Sequence, residues 1–271
     1  MQTCSNSSLL HRIQGCDLTL EYEDCAVFRG LDVAIPDGEV TVIIGPNGCG
    51  KSTLLKTLCR LFNPTQGQVY LDEKAVSQFS QKSFAQQVGL LPQRASAPEG
   101  IRVKDLVSRG RYPYQRLFKQ WTTDDEQAVR EAMALTGVAP LAERAVDTLS
   151  GGQRQRVWIA MVLAQQTPIV FLDEPTTYLD IAHQFELLEL CRQLNREQGR
   201  TIVIVLHELN QAFRYADQLI VMFEGRIAAQ GAPEAIVSPQ MIRQVFDLDC
   251  VIISDPIANT PMIVPYAKHS T

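Results

Sequence analysis

The apolar run Val40-Thr41-Val42-Ile43-Ile44 leads without a break into Gly45-Pro46-Asn47-Gly48-Cys49-Gly50-Lys51-Ser52-Thr53. The run is short, continuous and rich in β-branched residues, the form of a strand buried on both faces. Beyond the loop, Leu54, Leu55, Leu58 and Leu61 fall at helical spacing and predict a helix over 53–62. Strand, glycine loop and helix in this order are the context that the pattern G-x-x-x-x-G-K-S requires. The glycines let backbone N–H groups converge on phosphate oxygens, and the helix start adds the positive end of its dipole. Lys51 is placed to reach β- and γ-phosphates, Ser52 to set its hydroxyl on Mg²⁺, and Thr53 to meet the α-phosphate. Cys49 keeps two readings: a thiol made reactive by the nearby lysine, or a tolerated small residue.

Such a unit belongs in an α/β chain, and the rest of the pattern agrees. Strands are expected at 13–20, 27–35, 68–71, 88–91, 169–172 and 201–206, with Pro36-Asp37-Gly38-Glu39 as a turn. From Val103 to about Ala164 the pattern turns mostly helical, clearest at 124–136 and 153–164, and another helix is expected at 181–198. Residues 218–223 and 226–230 read as a hairpin about Glu224-Gly225, and Val251 to Ile253 is a further candidate strand. Alternating strands and helices predict a largely parallel central sheet with the helix-rich stretch inserted as a lobe.

A net charge of -5 supplies no electrostatic reason to expect a nucleic-acid partner. The seven cysteines are scattered and form no C-x-x-C pair, so the zinc and disulfide spacings are missing and reduced thiols are expected. No apolar stretch approaches the ~20 residues of a membrane-spanning helix, and the start of the chain lacks the apolar core of a signal peptide. The expectation is a protein that neither crosses a membrane nor leaves the cell unaided.

Three further features carry chemistry. Asp173-Glu174 ends the run Ile169-Val170-Phe171-Leu172, and a carboxylate at a buried strand's end is costly without a cation or donors. Asp173 is therefore expected to bind Mg²⁺, and Glu174 to polarise an attacking water as general base. His207 follows the 201–206 run, at a strand end where α/β ligands collect, and is read as a γ-phosphate contact. Leu149-Ser150-Gly151-Gly152-Gln153 is, taken alone, a polar turn before a helix with Ser150 as N-cap.

The motifs at 45–53, Gln93, 149–153, 169–174, Tyr178-Leu179-Asp180 and His207 stand in the order and spacing of an ABC transporter ATP-binding subunit, which the chain resembles over roughly 11–245. The resemblance implies a P-loop ATPase core, an N-terminal antiparallel β lobe and a helical lobe at about 95–165. Residues 1–10 would be a polar tail and 246–271 a short extension. It implies that Tyr22 stacks on adenine, although a half-buried strand residue fits the same position. Gln93 would contact Mg²⁺ and the attacking water and sense the membrane partner. Ser150, Gly151, Gly152 and Gln153 would face the γ-phosphate of ATP held by a second copy of the chain, and Asp180 would join the two sites. The implied partners are that second copy, integral membrane permease subunits docking near 93–114 and, indirectly, a substrate-binding protein. The implied location is the cytoplasmic face of the bacterial inner membrane.

Gly110-Arg111-Tyr112-Pro113-Tyr114, the run 147–156 and the run 173–184 are similar to the ferric-siderophore importer branch, which lies close to the cobalamin and haem importers. Residues 111–114 read as a solvent-exposed turn or as part of a permease-facing surface. Two other classes compete: a non-transport ABC ATPase acting on DNA or the ribosome, and a nucleotide-binding regulator without turnover. The chain has no long coiled-coil insertion or second cassette, and Lys51, Asp173, Glu174 and His207 are all present.

Overall fold

The structure, a computed structural model, describes residues 11–22, 25–115 and 121–266, without the side chains of Tyr22 and Cys25. The chain opens with strands β1 (His11–Tyr22), β2 (Cys25–Pro36) and β3 (Val40–Ile44), then helix α1 (Lys51–Leu58). Strands β4 (Gln66–Leu71) and β5 (Lys74–Ala75), helix α2 (Gln81–Ala85) and strand β6 (Val88–Leu91) follow. Next come α3 (Val103–Ser108), a 3₁₀ segment (Arg109–Tyr114), α4 (Thr123–Leu135), α5 (Gly151–Ala164) and β7 (Ile169–Asp173). The last part holds α6 (Ile181–Gln198), β8 (Thr201–Val205), α7 (Leu209–Tyr215), β9 (Gln218–Phe223) and β10 (Arg226–Gly231). It closes with α8 (Pro233–Ile236), α9 (Pro239–Phe246), β11 (Cys250–Ser254) and β12 (Pro261–Pro265).

These elements form two compact units. The first takes the described residues up to 78 with those from 203 on, and the second those between 79 and 202. In the first, β1 pairs antiparallel with β2 and β4, giving the order β2-β1-β4-β5. Its other strands run β10-β9-β3-β8, with β3 parallel to β9 and β10 turned back antiparallel. Val42, Ile43 and Ile44 of β3 and Leu219 to Met222 of β9 are fully buried, as continuous apolar runs in a parallel ladder should be. The β9–β10 turn uses Glu224 (φ 47°) and Gly225 (φ 72°), both left-handed, which suits a two-residue hairpin. The 251–253 segment enters neither sheet: β11 pairs only with β12, as a separate hairpin.

In the second unit β6 runs parallel to β7. Ile159, Val162 and Leu163 of α5, Val170 and Leu172 of β7, and Leu187, Cys191 and Leu194 of α6 line one apolar seam. Each such buried side chain contributes roughly 1.5–3 kcal/mol by leaving water. The α6 limits match the sequence expectation: Asp180 caps its start, and Gly199 (φ 63°) ends it in the left-handed region.

Helix α1 differs from expectation. It stops at Leu58 instead of continuing to 62, because Arg60 turns left-handed (φ 59°) and Leu61 N–H returns 2.8 Å to Lys56 O. Leu61, counted on the apolar stripe, is 58% exposed.

Residues 111–114 are not a solvent-exposed turn. Arg111 is 5% exposed, donates 2.9 Å to Asp125 Oδ1 and 2.9 Å to Ala164 O, and lies 4.1 Å over the Tyr114 ring. Pro113 is buried with it, Tyr114 is half-buried, and Tyr112 is open to solvent. Burial alone would raise the Asp125 carboxyl; hydrogen bonds from Arg111 and Thr122 outweigh it and hold the group below the usual carboxylate range. The ion pair thus locks the 3₁₀ segment to the first turn of α4 and the last turn of α5.

Candidate nucleotide site

In the first unit the parallel register places the glycine loop. Ile44 pairs with Val221, so Gly45 emerges beside Met222. Gly45 has φ 152°, and a Cβ there would stand 2.2 Å from Met222 O, a position closed to any side chain. Gly50, at φ 104°, precedes α1 and is likewise left-handed. Between them Pro46 is half-buried, Asn47 and Gly48 are exposed, and Cys49 is buried with its sulfur packed toward Gly45. Burial pushes the Cys49 thiol up against the smaller opposing pull of Lys51, so it stays protonated near neutral pH. The reactive-thiolate reading therefore loses its physical basis.

Lys51 is 5% exposed, and its ammonium donates 2.9 Å to both Gly45 O and Pro46 O. Three donors meet two carbonyls, which leaves one N–H for a further acceptor. A buried cation with a spare donor, under a loop of left-handed glycines, suits a triphosphate. Ser52 and Thr53 follow half-buried on the first turn of α1. His207 is exposed just beyond β8, and the preceding Leu206 N–H donates 3.2 Å to Ile43 O, so His207 stands at the same strand end as the loop. The Tyr22 side chain lies outside the described residues.

In the second unit the β6–β7 register does the positioning. Leu91 pairs with Leu172, so Gln93 and Glu174 each stand two residues beyond that pair. Gln93 Nε2 donates 2.7 Å to Glu174 Oε2. Glu174 takes φ 53°, left-handed for a residue with a Cβ, a conformation costing about 1–3 kcal/mol. Asp173, the last residue of β7, is fully buried. Ser52 hydroxyl, Gln93 amide oxygen and Asp173 carboxylate are all hard oxygen donors, the class that suits Mg²⁺.

Ser150 caps α5: its Oγ accepts Gln153 N–H at 3.2 Å, while Gln153 Oε1 accepts Ser150 N–H at 3.2 Å. The Ser150 hydroxyl keeps its own proton to donate. Gly151 and Gly152 lie against the Tyr178–Leu179 backbone and side chains, tying this turn to the loop that carries Asp180. Asp180 is exposed at the start of α6. Sequence reasoning passed over two residues. Gln155 donates 3.1 Å to Pro175 O, directly after Glu174, and His183 bonds Asp180. The second was open to detection, since positions three apart at a helix start face each other.

A parallel α/β ladder delivering a glycine loop onto a helix defines a P-loop nucleotide-binding protein. The chain belongs to the ABC transporter family, whose model, described as ABC transporter, matches residues 28–177, and it is an ATPase of that family. It is 56% identical to the ferric enterobactin transport ATP-binding protein of Escherichia coli (strain K12) over 257 residues, 95% of each chain. Among solved structures it is similar to a putative metal-chelate type ABC transporter in an inward-facing conformation, with TM-score 0.80 and 27% identity over 95% of this chain and 98% of that one. It is also similar to the dimeric bacterial ABC transporter cassette MJ0796, with TM-score 0.74 and 26% identity over 81% of this chain and 98% of that one.

Proposed function

We propose that the chain hydrolyses ATP beneath a separate membrane permease to drive uptake of a ferric siderophore. The observation that carries the cargo is the 56% identity, over 95% of both chains, to a ferric enterobactin transport subunit. The cargo rests on that likeness and the chemistry on the residues. Residues 11–245 would make one ATPase domain, working as a dimer like the MJ0796 cassette. The chain would sit on the cytoplasmic face of the membrane; among the described residues no helix is long and apolar enough to cross one.

The glycine loop, Lys51 and Thr53 would hold the triphosphate, with Tyr22 against the adenine. Ser52, Gln93 and Asp173 would hold Mg²⁺, which supplies positive charge against the phosphates. Glu174, steadied by Gln93, would orient and deprotonate the attacking water. His207 would meet the γ-phosphate. Ser150, Gly151, Gly152 and Gln153 would present the start of α5 to the γ-phosphate on the second copy, and Asp180 would bridge the two sites. Loss of the γ-phosphate would release the closed dimer.

The test uses a strain lacking this chain, complemented with the wild type or with Glu174→Gln. Labelled ferric siderophores and labelled cobalamin are offered separately. The wild type is expected to restore ferric siderophore uptake alone and Glu174→Gln to restore none. Restored cobalamin uptake would move the assignment to that branch, and uptake by Glu174→Gln would remove Glu174 from catalysis.

A further inference from the structure

His183 stands in the first turn of α6, with its imidazole Nδ1 2.6 Å from Asp180 Oδ1. The same oxygen accepts the His183 backbone N–H at 3.0 Å. A helix cap needs only the backbone bond. The imidazole contact is additional, and it restrains a carboxylate whose side chain is 69% exposed.

The proton in that contact can be placed. The Asp180 carboxyl is held below the usual carboxylate range, first by the His183 backbone N–H and then by its ring. An ionised carboxylate only accepts, so Nδ1 carries the hydrogen. Nδ1–H exists in both the neutral tautomer and the imidazolium. Nε2 is left free of that contact. It lies 4.0 Å from Glu186 Oε2 on the same helix, and His183 borders, with Arg156 of α5, a cavity of about 270 Å³. Arg156 also adds positive charge near Asp180.

We propose that His183 is a positioning residue for ATP hydrolysis, its ring N–H fixing the Asp180 carboxylate in the orientation that engages the second subunit. The inference rests on the reading of Asp180 given above. Without the ring, Asp180 would still cap α6 but would sample several rotamers, and each closure of the dimer would have to select one.

The measurement is ATP turnover by the subunit reconstituted with its permease, for His183→Ala, His183→Asn, Asp180→Asn and the His183→Ala/Asp180→Asn pair. Alanine favours the helix and asparagine caps as well as aspartate, so neither change weakens α6. His183→Ala is expected to lower kcat about fivefold with KM for ATP unchanged. His183→Asn, which keeps an N–H near Nδ1, is expected to recover most of it. The pair is expected to be no slower than Asp180→Asn alone. Wild-type kcat in His183→Ala overturns the proposal, as does equal loss in His183→Asn or an additive loss in the pair. Full turnover in Asp180→Asn instead overturns the reading of Asp180, and the proposal with it.

Discussion

The glycine loop before α1 and the turn before α5 are both backbone curls at a helix start, yet they leave different things uncovered. In the first, Gly45 and Lys51 are buried, and the lysine ammonium already rests on two carbonyls of its own loop. In the second, Ser150 and Gly151 are exposed, and the capping box closes locally through Gln153. Beside it, Tyr178 of the adjoining loop is 74% exposed and Ile181, the first residue of α6, 72%. One region is built to close around a ligand from below. The other holds its donors outward on a rigid base, as a surface meant for another molecule does. The contrast fits the proposal that a single chain binds ATP with the first region and completes a second copy's site with the second.

The largest effect tests the first half of that contrast. Lys51→Ala removes the buried cation under the loop, and ATP affinity of the isolated subunit is expected to fall about 100-fold, the weight of a charged hydrogen-bonded contact. Equilibrium binding of a fluorescent ATP analogue reads it. Affinity within a factor of about two of wild type would mean the lysine serves only to brace the loop carbonyls.

Ser150→Arg tests the other half. Binding of the same analogue by the isolated subunit is expected to stay near wild type, while turnover in the reconstituted transporter falls on the order of 100-fold, as for loss of one oxyanion donor. If ATP binding fell as it does for Lys51→Ala, the contrast would be broken and the turn would serve its own chain's nucleotide.

What the sequence made legible follows the range of the forces involved. The β3–loop–α1 unit, the strand ending in Asp173 and the limits of α6 are set by local patterns: an apolar run, left-handed glycines, a cap at each end. The Gln93–Glu174 contact was legible only as two separate motifs. It exists because Leu91 and Leu172 share a register, which no local pattern encodes. The end of α1 was misread because Leu61 continued the apolar stripe, while the Arg60 backbone had already turned away. Arg111 was misread for the same kind of reason. A charged residue beside two tyrosines looks like surface until Asp125, fourteen positions on, supplies its partner.

That ion pair gives the smallest expected effect on chemistry and sharpens the contrast from a third side. Arg111 touches neither helix start, so Arg111→Met is expected to leave kcat of the folded fraction unchanged. Its effect falls on stability: it strands a buried carboxylate, which costs about 3–5 kcal/mol near neutral pH. The pH dependence follows from the sign of the Asp125 shift. In the wild type the carboxyl is depressed, so its contribution is complete above the ordinary carboxylate pKa and is lost as pH falls through the folded value. In the variant only the Thr122 hydrogen bonds oppose burial, so the carboxyl is held down less, and acidification lets it protonate and relieves the penalty. The stability gap is therefore expected to be widest near neutral pH and to narrow toward pH ~4. Urea unfolding of both proteins across that range measures it. A gap that does not change with pH would place the cost in lost packing against Tyr114 and the α5 carbonyl, not in the stranded charge.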